Sequence, residues 1–189
     1  MEADWEFEVG PDAAGLAAPV IDAAWAGWVD LRTEPERAWE LPEAGQFPAM
    51  AEALIRLNAL ASPVWTSKCD VWPSLETGEF DPDEMAAPPG CSVHAMGCYI
   101  DLLPRNDLQW NLPEKLADVC RQVCGCLHDV ALGCCRADLV IRRAFVTPNA
   151  ESLGVTAYLT SCGCSAAEAA KTLQAALAEL PGAFRATQR

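Results

Sequence analysis

The chain has few positive charges for its length. It carries 13 lysine and arginine residues against 27 aspartate and glutamate residues in 189, which gives a formal net charge of -14. This sign is wrong for holding phosphate backbones or anionic lipid headgroups. We therefore expect neither nucleic acid nor a membrane surface among its partners.

The chain also lacks the short motifs that mark common enzyme classes. It contains no G-x-S-x-G elbow, P-loop, dinucleotide-binding glycine pattern or H-E-x-x-H pair, and only two histidines. The acidic segment 76–84 lacks the alternating oxygen ligands and central glycine of a calcium loop. These features favour a non-enzymatic protein.

No stretch is both long and uncharged enough to cross a bilayer, and the first ten residues show neither region of a secretion signal. A hydrophobic fraction of 51% is enough for a chain of this size to fold without disulfides or metal. We therefore expect a cytoplasmic protein of one domain, with its ten cysteines unpaired in a reducing environment. Unpaired cysteines then act as small buried hydrophobes.

The negative charge is concentrated near the amino terminus. Residues 1–46 hold eleven acidic side chains and two basic ones. The sequence predicts that this stretch is an acidic helical arm packed on an α+β core domain, residues 47–189.

Short elements with tryptophan are predicted within this arm. Pro19 is placed to open one helix that carries Trp25 and Trp28, and Thr33 with Glu36 forms a capping box for a second. The alternation of charged and apolar residues over 4–9 indicates an edge strand or an ordered arm.

The core shows a regular order of elements. Periodicity predicts helices over 48–61, from Pro113 to a stop at Gly133, and over 165–180 before Pro181, with strands over 64–72, 97–103, 138–146 and 153–162. The short turn between the last two strands favours an antiparallel hairpin. The order αββαββα predicts an α+β fold, a mainly antiparallel sheet of about four strands with helices on one face. Because 48–103 and 113–162 share the order helix, strand, strand, an αββ duplication is one interpretation.

The predicted strands carry a polar minority that alternation places on one face. On the first strand, Thr66, Lys68 and Asp70 share a face with Trp72. If no helix covers this face, it forms a concave surface for a small ligand or a protein. A plain solvent face with cross-strand ion pairs is the alternative. The candidate binding residues are Lys68, Asp70, Asp101, Arg142, Tyr158 and Thr160.

The cysteines allow two interpretations, one in which they pack in the core and one in which they form a reactive or metal-binding site. Cys120, Cys124 and Cys126 lie on or beside the apolar side of a predicted helix, which indicates core packing. Cys164 precedes a predicted N-cap, Ser165, where the helix dipole favours a thiolate. Strand-end packing explains the same position. As an alternative soft-metal site, with zinc as the ion, the donors are Cys91, His94, Cys98, Cys162 and Cys164.

Two hypotheses for function follow. The first is a non-enzymatic cytoplasmic interaction module, of the inhibitor or immunity type, whose acidic surface binds a basic protein and which needs no cofactor. The alternative is a thiol-based protein that binds a soft metal or exchanges disulfides through Cys162 and Cys164.

Overall fold

The computed structural model describes residues 1–9, 27–76, 79–87, 89–105, 112–147 and 150–188. The predicted helix at Pro19 lies mostly outside these residues. In chain order the elements are β1 (Glu2–Glu8), a 3-10 helix (Pro35–Glu40), α1 (Pro42–Gln46), α2 (Pro48–Asn58), β2 (Val64–Trp72), β3 (His94–Pro104), α3 (Pro113–His128), β4 (Cys135–Thr147), β5 (Ala150–Gly163) and α4 (Ala166–Ala186).

The described strands form one five-stranded sheet in the order β1-β4-β5-β3-β2. Three of its four pairings are antiparallel, including the β4–β5 hairpin, so a mainly antiparallel sheet is confirmed. The fifth strand is β1, which lies at the edge and runs parallel to β4 with Glu2 opposite Arg136 and Glu8 opposite Arg142. The expected count of four is therefore too low, because the alternating segment near the amino terminus joins the sheet.

Two units with the order helix, strand, strand meet at the centre of this sheet. The units are α2–β2–β3 and α3–β4–β5, and their second strands pair with each other. In that pairing Tyr99 of β3 lies directly opposite Tyr158 of β5. Each unit thus has the order helix, strand, strand that the sequence predicts, within a sheet that also contains β1.

The core lies between one face of the sheet and the three long helices α2, α3 and α4. Cys120 and Cys124 of α3 are buried in it, as their helical spacing predicted. Ser161 of β5 lies on the same side and donates a hydrogen bond to the carbonyl of Ala169 in α4 (2.8 Å). No helix in the described part of the chain is long and apolar enough to cross a membrane.

A register shift in β2 corrects the predicted alternation. The shift lies between Thr66 and Cys69, so the regular alternation of faces is interrupted there and does not continue from Thr66 to Asp70. Thr66 faces the helices and accepts a hydrogen bond from Asn58 of α2 (2.6 Å), whereas Asp70 lies opposite Tyr99 on the other face. Thr66 therefore does not share a face with Asp70 and Trp72.

Several helix ends also differ from expectation. α2 ends at Asn58 and α3 at His128, before the predicted stops. The 3-10 helix has Glu34 as its N-cap and no side-chain cap, so the box at Thr33 does not form. α4 continues through Pro181, because that ring and Phe184 beyond it are buried, and this packing offsets the backbone hydrogen bond that proline removes.

The junction between β5 and α4 gives a test of this packing. A Cβ at Gly163 would lie 2.6 Å from the Cβ of Glu168 and 3.0 Å from the Ala169 nitrogen, whereas at Gly125 in α3 nothing lies within 4 Å. We expect Gly163→Ala to lower the free energy of unfolding by about 1–3 kcal/mol. Gly125→Ala, the matched control, should raise it by about 0.5–1 kcal/mol. Denaturant unfolding measures both, and equal effects would contradict the clash.

Candidate functional site

The face of the sheet opposite the helices, here called the second face, carries a row of polar side chains. Across four neighbouring strands the directly paired residues are Asp70, Tyr99, Tyr158 and Asp138. Each unit thus contributes one aspartate beside one tyrosine. The register of the β3–β5 pair brings the two tyrosines together at the centre.

An aromatic cluster covers the middle of this row. The ring centroid of Trp72 lies 5.7 Å from that of Tyr99 and 6.5 Å from that of Tyr158, and the two tyrosine centroids are 6.1 Å apart. Arg142 of β4 places its guanidinium 5.5 Å from the Tyr158 ring centroid and donates a hydrogen bond to the Tyr158 hydroxyl (3.0 Å). The cluster is apolar enough to pack against aliphatic chains and electron-rich enough to attract a cation.

Asp101 of β3 is a buried carboxyl on this face, with a relative exposure of 1%. Thr156 donates a hydrogen bond to its Oδ1 (2.6 Å), while its Oδ2 has no hydrogen-bond partner among the described residues. Burial raises the pKa of Asp101 to about 6, against the opposing effects of Thr156, Lys68 and Arg142. Burial, and then the nearby carboxylates, also raise the pKa of Tyr99 to about 12, so its phenol stays neutral.

Two adjoining cavities open on the second face, with volumes of about 580 and 520 Å³. They share Glu79, Asp138 and Thr160, and we call them together the acidic cleft. One wall is residues 79–87, here called the wall segment, which follows β2. The charged side chains of the cleft are six acidic and two basic: Glu6, Glu8, Glu79, Asp81, Glu84, Asp138, Arg136 and Arg142.

Both arginines of the cleft already have carboxylate partners. Arg136 contacts Asp138 (2.8 Å) and Glu84 of the wall segment (3.1 Å). Arg142 contacts Glu8 of β1 (2.6 Å). These pairs orient the arginines and leave the cleft with a surplus of negative charge.

The structure brings five of the six predicted binding residues to the second face, and Lys68 lies within the register shift of β2, but the six do not share one cavity. Arg142, Tyr158 and Thr160 line the acidic cleft. Lys68 and Tyr99 line a separate cavity of about 300 Å³ at the β2 edge. Asp70 lies in the central row and Asp101 is buried beside it.

The cysteine and histidine residues proposed as metal donors differ in burial and in the clusters that they contact. Cys98 is buried against the helices, whereas Cys162 packs in a small cluster of its own with Met85 and Ala95. His94 is exposed. Within the described ranges no three histidine, cysteine or acidic residues form a group able to hold a metal ion.

A disulfide joins Cys91 to Cys164, with 5.6 Å between their Cα atoms and a sequence separation of 73. The expectation that all ten cysteines are unpaired is therefore wrong at these two positions. The physical reason is that the end of β5 lies beside the chain that enters β3, since His94 pairs with Gly163. The other eight cysteines are free thiols.

Most of the free thiols are poor nucleophiles. Burial raises the pKa of Cys69 and Cys135 to about 12, and that of Cys124 and Cys162 to about 11. These groups stay protonated at neutral pH, and only a thiolate attacks a disulfide or binds a soft metal well.

Sequence reasoning found the polar strands but missed the wall of the cleft. Trp72, Arg136 and Asp138 are not among the predicted binding residues, although alternation places Trp72 on the face of Asp70 and places Arg136 and Asp138 on the face of Arg142. In the sequence the wall segment is an acidic, proline-containing loop. It has no periodic pattern of apolar residues that would indicate which part of the sheet it covers.

Comparison with known proteins identifies no relative of the chain. No protein-family model, curated protein or solved structure matches the chain.

Replacing Asp101 by asparagine should remove a pH dependence of stability. The carboxyl titrates near 3.8 when unfolded and at about 6 when folded, so the folded state binds more protons and the wild type loses stability as pH rises through this window. The unfolding free energy of Asp101→Asn minus that of the wild type should grow by about 2–3 kcal/mol between about pH 4 and pH 7. Denaturant unfolding across this range measures the difference, and a constant difference would contradict the buried site.

Loss of the disulfide should lower stability. We expect Cys91→Ala to reduce the free energy of unfolding by about 2–4 kcal/mol, because the bond closes a long loop. A reductant should cost the wild type a similar amount and leave Cys91→Ala unchanged. Cys126→Ala, at a half-buried free thiol, is the control and should respond to the reductant as the wild type does. A wild type indifferent to reductant would argue against the bond.

Proposed function

We propose that the protein is a non-enzymatic interaction module that binds a basic protein partner, in the manner of an inhibitor or immunity protein, and that the acidic cleft is its binding surface. The observation that supports this most is the uneven distribution of charge. The helices α2, α3 and α4 together carry five acidic and five basic side chains, so the helical side is balanced. The acidic cleft carries six acidic side chains against two basic ones.

The ion pairs inside the cleft leave part of its charge without a basic counterpart. Arg136 and Arg142 are engaged by Asp138, Glu84 and Glu8, while Glu79 accepts a hydrogen bond from the backbone of Glu76 and Asp81 accepts one from the backbone of Asp83. A low-dielectric cleft lined by one sign of charge concentrates the field and speeds the approach of a partner of opposite sign.

The aromatic cluster adds a short-range contribution to this long-range attraction. Trp72 and Tyr158 line the cleft and are half-buried. Lysine and arginine side chains place their aliphatic stems on such rings and hold their charge near the ring face or a carboxylate. The cleft therefore suits a cationic segment that projects from a protein surface. Neither histidine lines it.

The test compares two variants, each with three acidic residues replaced by their neutral amides, in their binding of one cationic probe, an oligo-arginine peptide. The cleft variant is Glu6→Gln with Glu79→Gln and Asp81→Asn, and the control is Glu52→Gln with Glu114→Gln and Glu179→Gln on the exposed sides of the three helices. Both remove three negative charges. At low salt we expect the cleft variant to bind the peptide about tenfold more weakly and the control about twofold or less, because close charges dominate over screened distant ones.

Titration calorimetry at low and high salt measures these affinities. Equal losses in the two variants would show that net charge alone attracts the peptide and would overturn the cleft as the site. The same variants then serve as bait for basic proteins from the host at low and high salt. Recovery of no basic protein with the wild type would leave the proposed partner class without support.

A further inference from the structure

The single disulfide lies where it can control the acidic cleft. Cys91 stands in the chain that leads from the wall segment into β3, and Cys164 directly precedes the N-cap of α4. The bond therefore ties the chain beside the wall to the rigid junction of β5 and α4. Both sulfur-bearing residues are half-buried, so a reductant in solution has access to them.

Among the described residues, the wall segment has few other contacts with the sheet. Glu84 pairs with Arg136 (3.1 Å) across a partly exposed contact, and the Cys134 thiol donates a weak hydrogen bond to the Ala86 carbonyl (3.5 Å). The apolar contacts are those of a small separate cluster in which Met85 is buried and Phe80 and Ala87 are half-buried. Exposed ion pairs and small clusters hold a segment weakly compared with a shared main core.

The wall segment also supplies much of the charge of the cleft. Glu79, Asp81 and Glu84 belong to it, which is half of the six acidic side chains there. If the segment moves away from the sheet, these carboxylates leave Asp138 and the aromatic cluster. A ligand would then have to order the segment again on binding, and that ordering reduces affinity.

We propose that the Cys91–Cys164 disulfide is a redox switch that holds the wall segment in place and so keeps the acidic cleft competent to bind cations. The effect on binding rests on the proposed function, whereas the effect on the wall segment does not. The reductant is a dithiol. Its two sulfurs become linked to each other, the Sγ–Sγ bond breaks, and the two thiol protons of the dithiol end on Cys91 and Cys164. Reoxidation by a disulfide of the same class reverses each transfer.

The Cys91–Cys164 bond is the one that a reductant breaks, because the other eight cysteines are free thiols. Cys98, Cys120, Cys124, Cys135 and Cys162 are buried and unlinked. The Cys134 thiol contacts Cys162, and both cysteines belong to the small apolar cluster around Met85. Mild reduction therefore adds two thiols to the eight already free.

The experiment treats the full chain with dithiothreitol and follows three quantities. Thiol counting after denaturation should rise from eight to ten. Amide hydrogen exchange of residues 79–87, read by mass spectrometry, should become about tenfold faster, because local opening costs less once the tether is gone. Oligo-arginine affinity should fall about three- to tenfold.

Two variants separate the switch from general effects of reductant. Cys91→Ser should show fast exchange and weak binding with or without dithiothreitol. Cys126→Ser, at a half-buried thiol of α3, should keep the full response of the wild type.

The outcomes discriminate between the two proposals. Unchanged exchange over 79–87 once ten thiols are counted would overturn the switch. Faster exchange with unchanged peptide affinity would also overturn it, since the wall segment would then not control binding. If the peptide binds neither form, the proposed function fails, while the exchange rates alone still decide whether the disulfide holds the wall segment.

Discussion

The antiparallel pairing of β3 with β5 is the contact on which the rest of the arrangement depends. These are the second strands of the two helix-strand-strand units, and no turn joins them directly, so their register is set by which side chains each face can bury. With Tyr99 opposite Tyr158, Cys98 and Leu159 also face each other within the core. A slip of β5 by one residue would place Tyr158 under the helices and Leu159 on the second face.

The same alternation explains why the surplus charge collects on one side. Carboxylates are costly to bury without partners, so acidic residues such as Glu6, Asp70 and Asp138 occupy strand positions that face away from the helices. In β1 this places Trp5 against the core and leaves Glu6 and Glu8 to line the cleft. Parallel pairing with β4 then brings Glu8 opposite Arg142. The edge strand thus adds negative charge to the cleft and fixes one of its two arginines.

Sequence reasoning reaches the elements whose periodicity is strong, and it fails where contacts are distant in sequence. The apolar spacing along α3 and the alternation in β4 and β5 predict elements that the structure contains, with ends shifted by a few residues. The register shift beside Thr66 changes the face of β2 and has no periodic signal. The pairing of Cys91 with Cys164 depends on how β3 and β5 meet, which local patterns do not encode.

The position of the disulfide also fits the division of the apolar residues into two clusters. The main cluster joins all three long helices to the sheet and is large enough to support the fold without a covalent link. The small cluster around Met85, Ala95 and Cys162 buries much less apolar surface than the main cluster. Stability differs between parts of one protein, and a segment with few buried contacts opens first. A covalent bond placed beside the small cluster therefore restrains the one wall of the cleft that packing leaves weakly held.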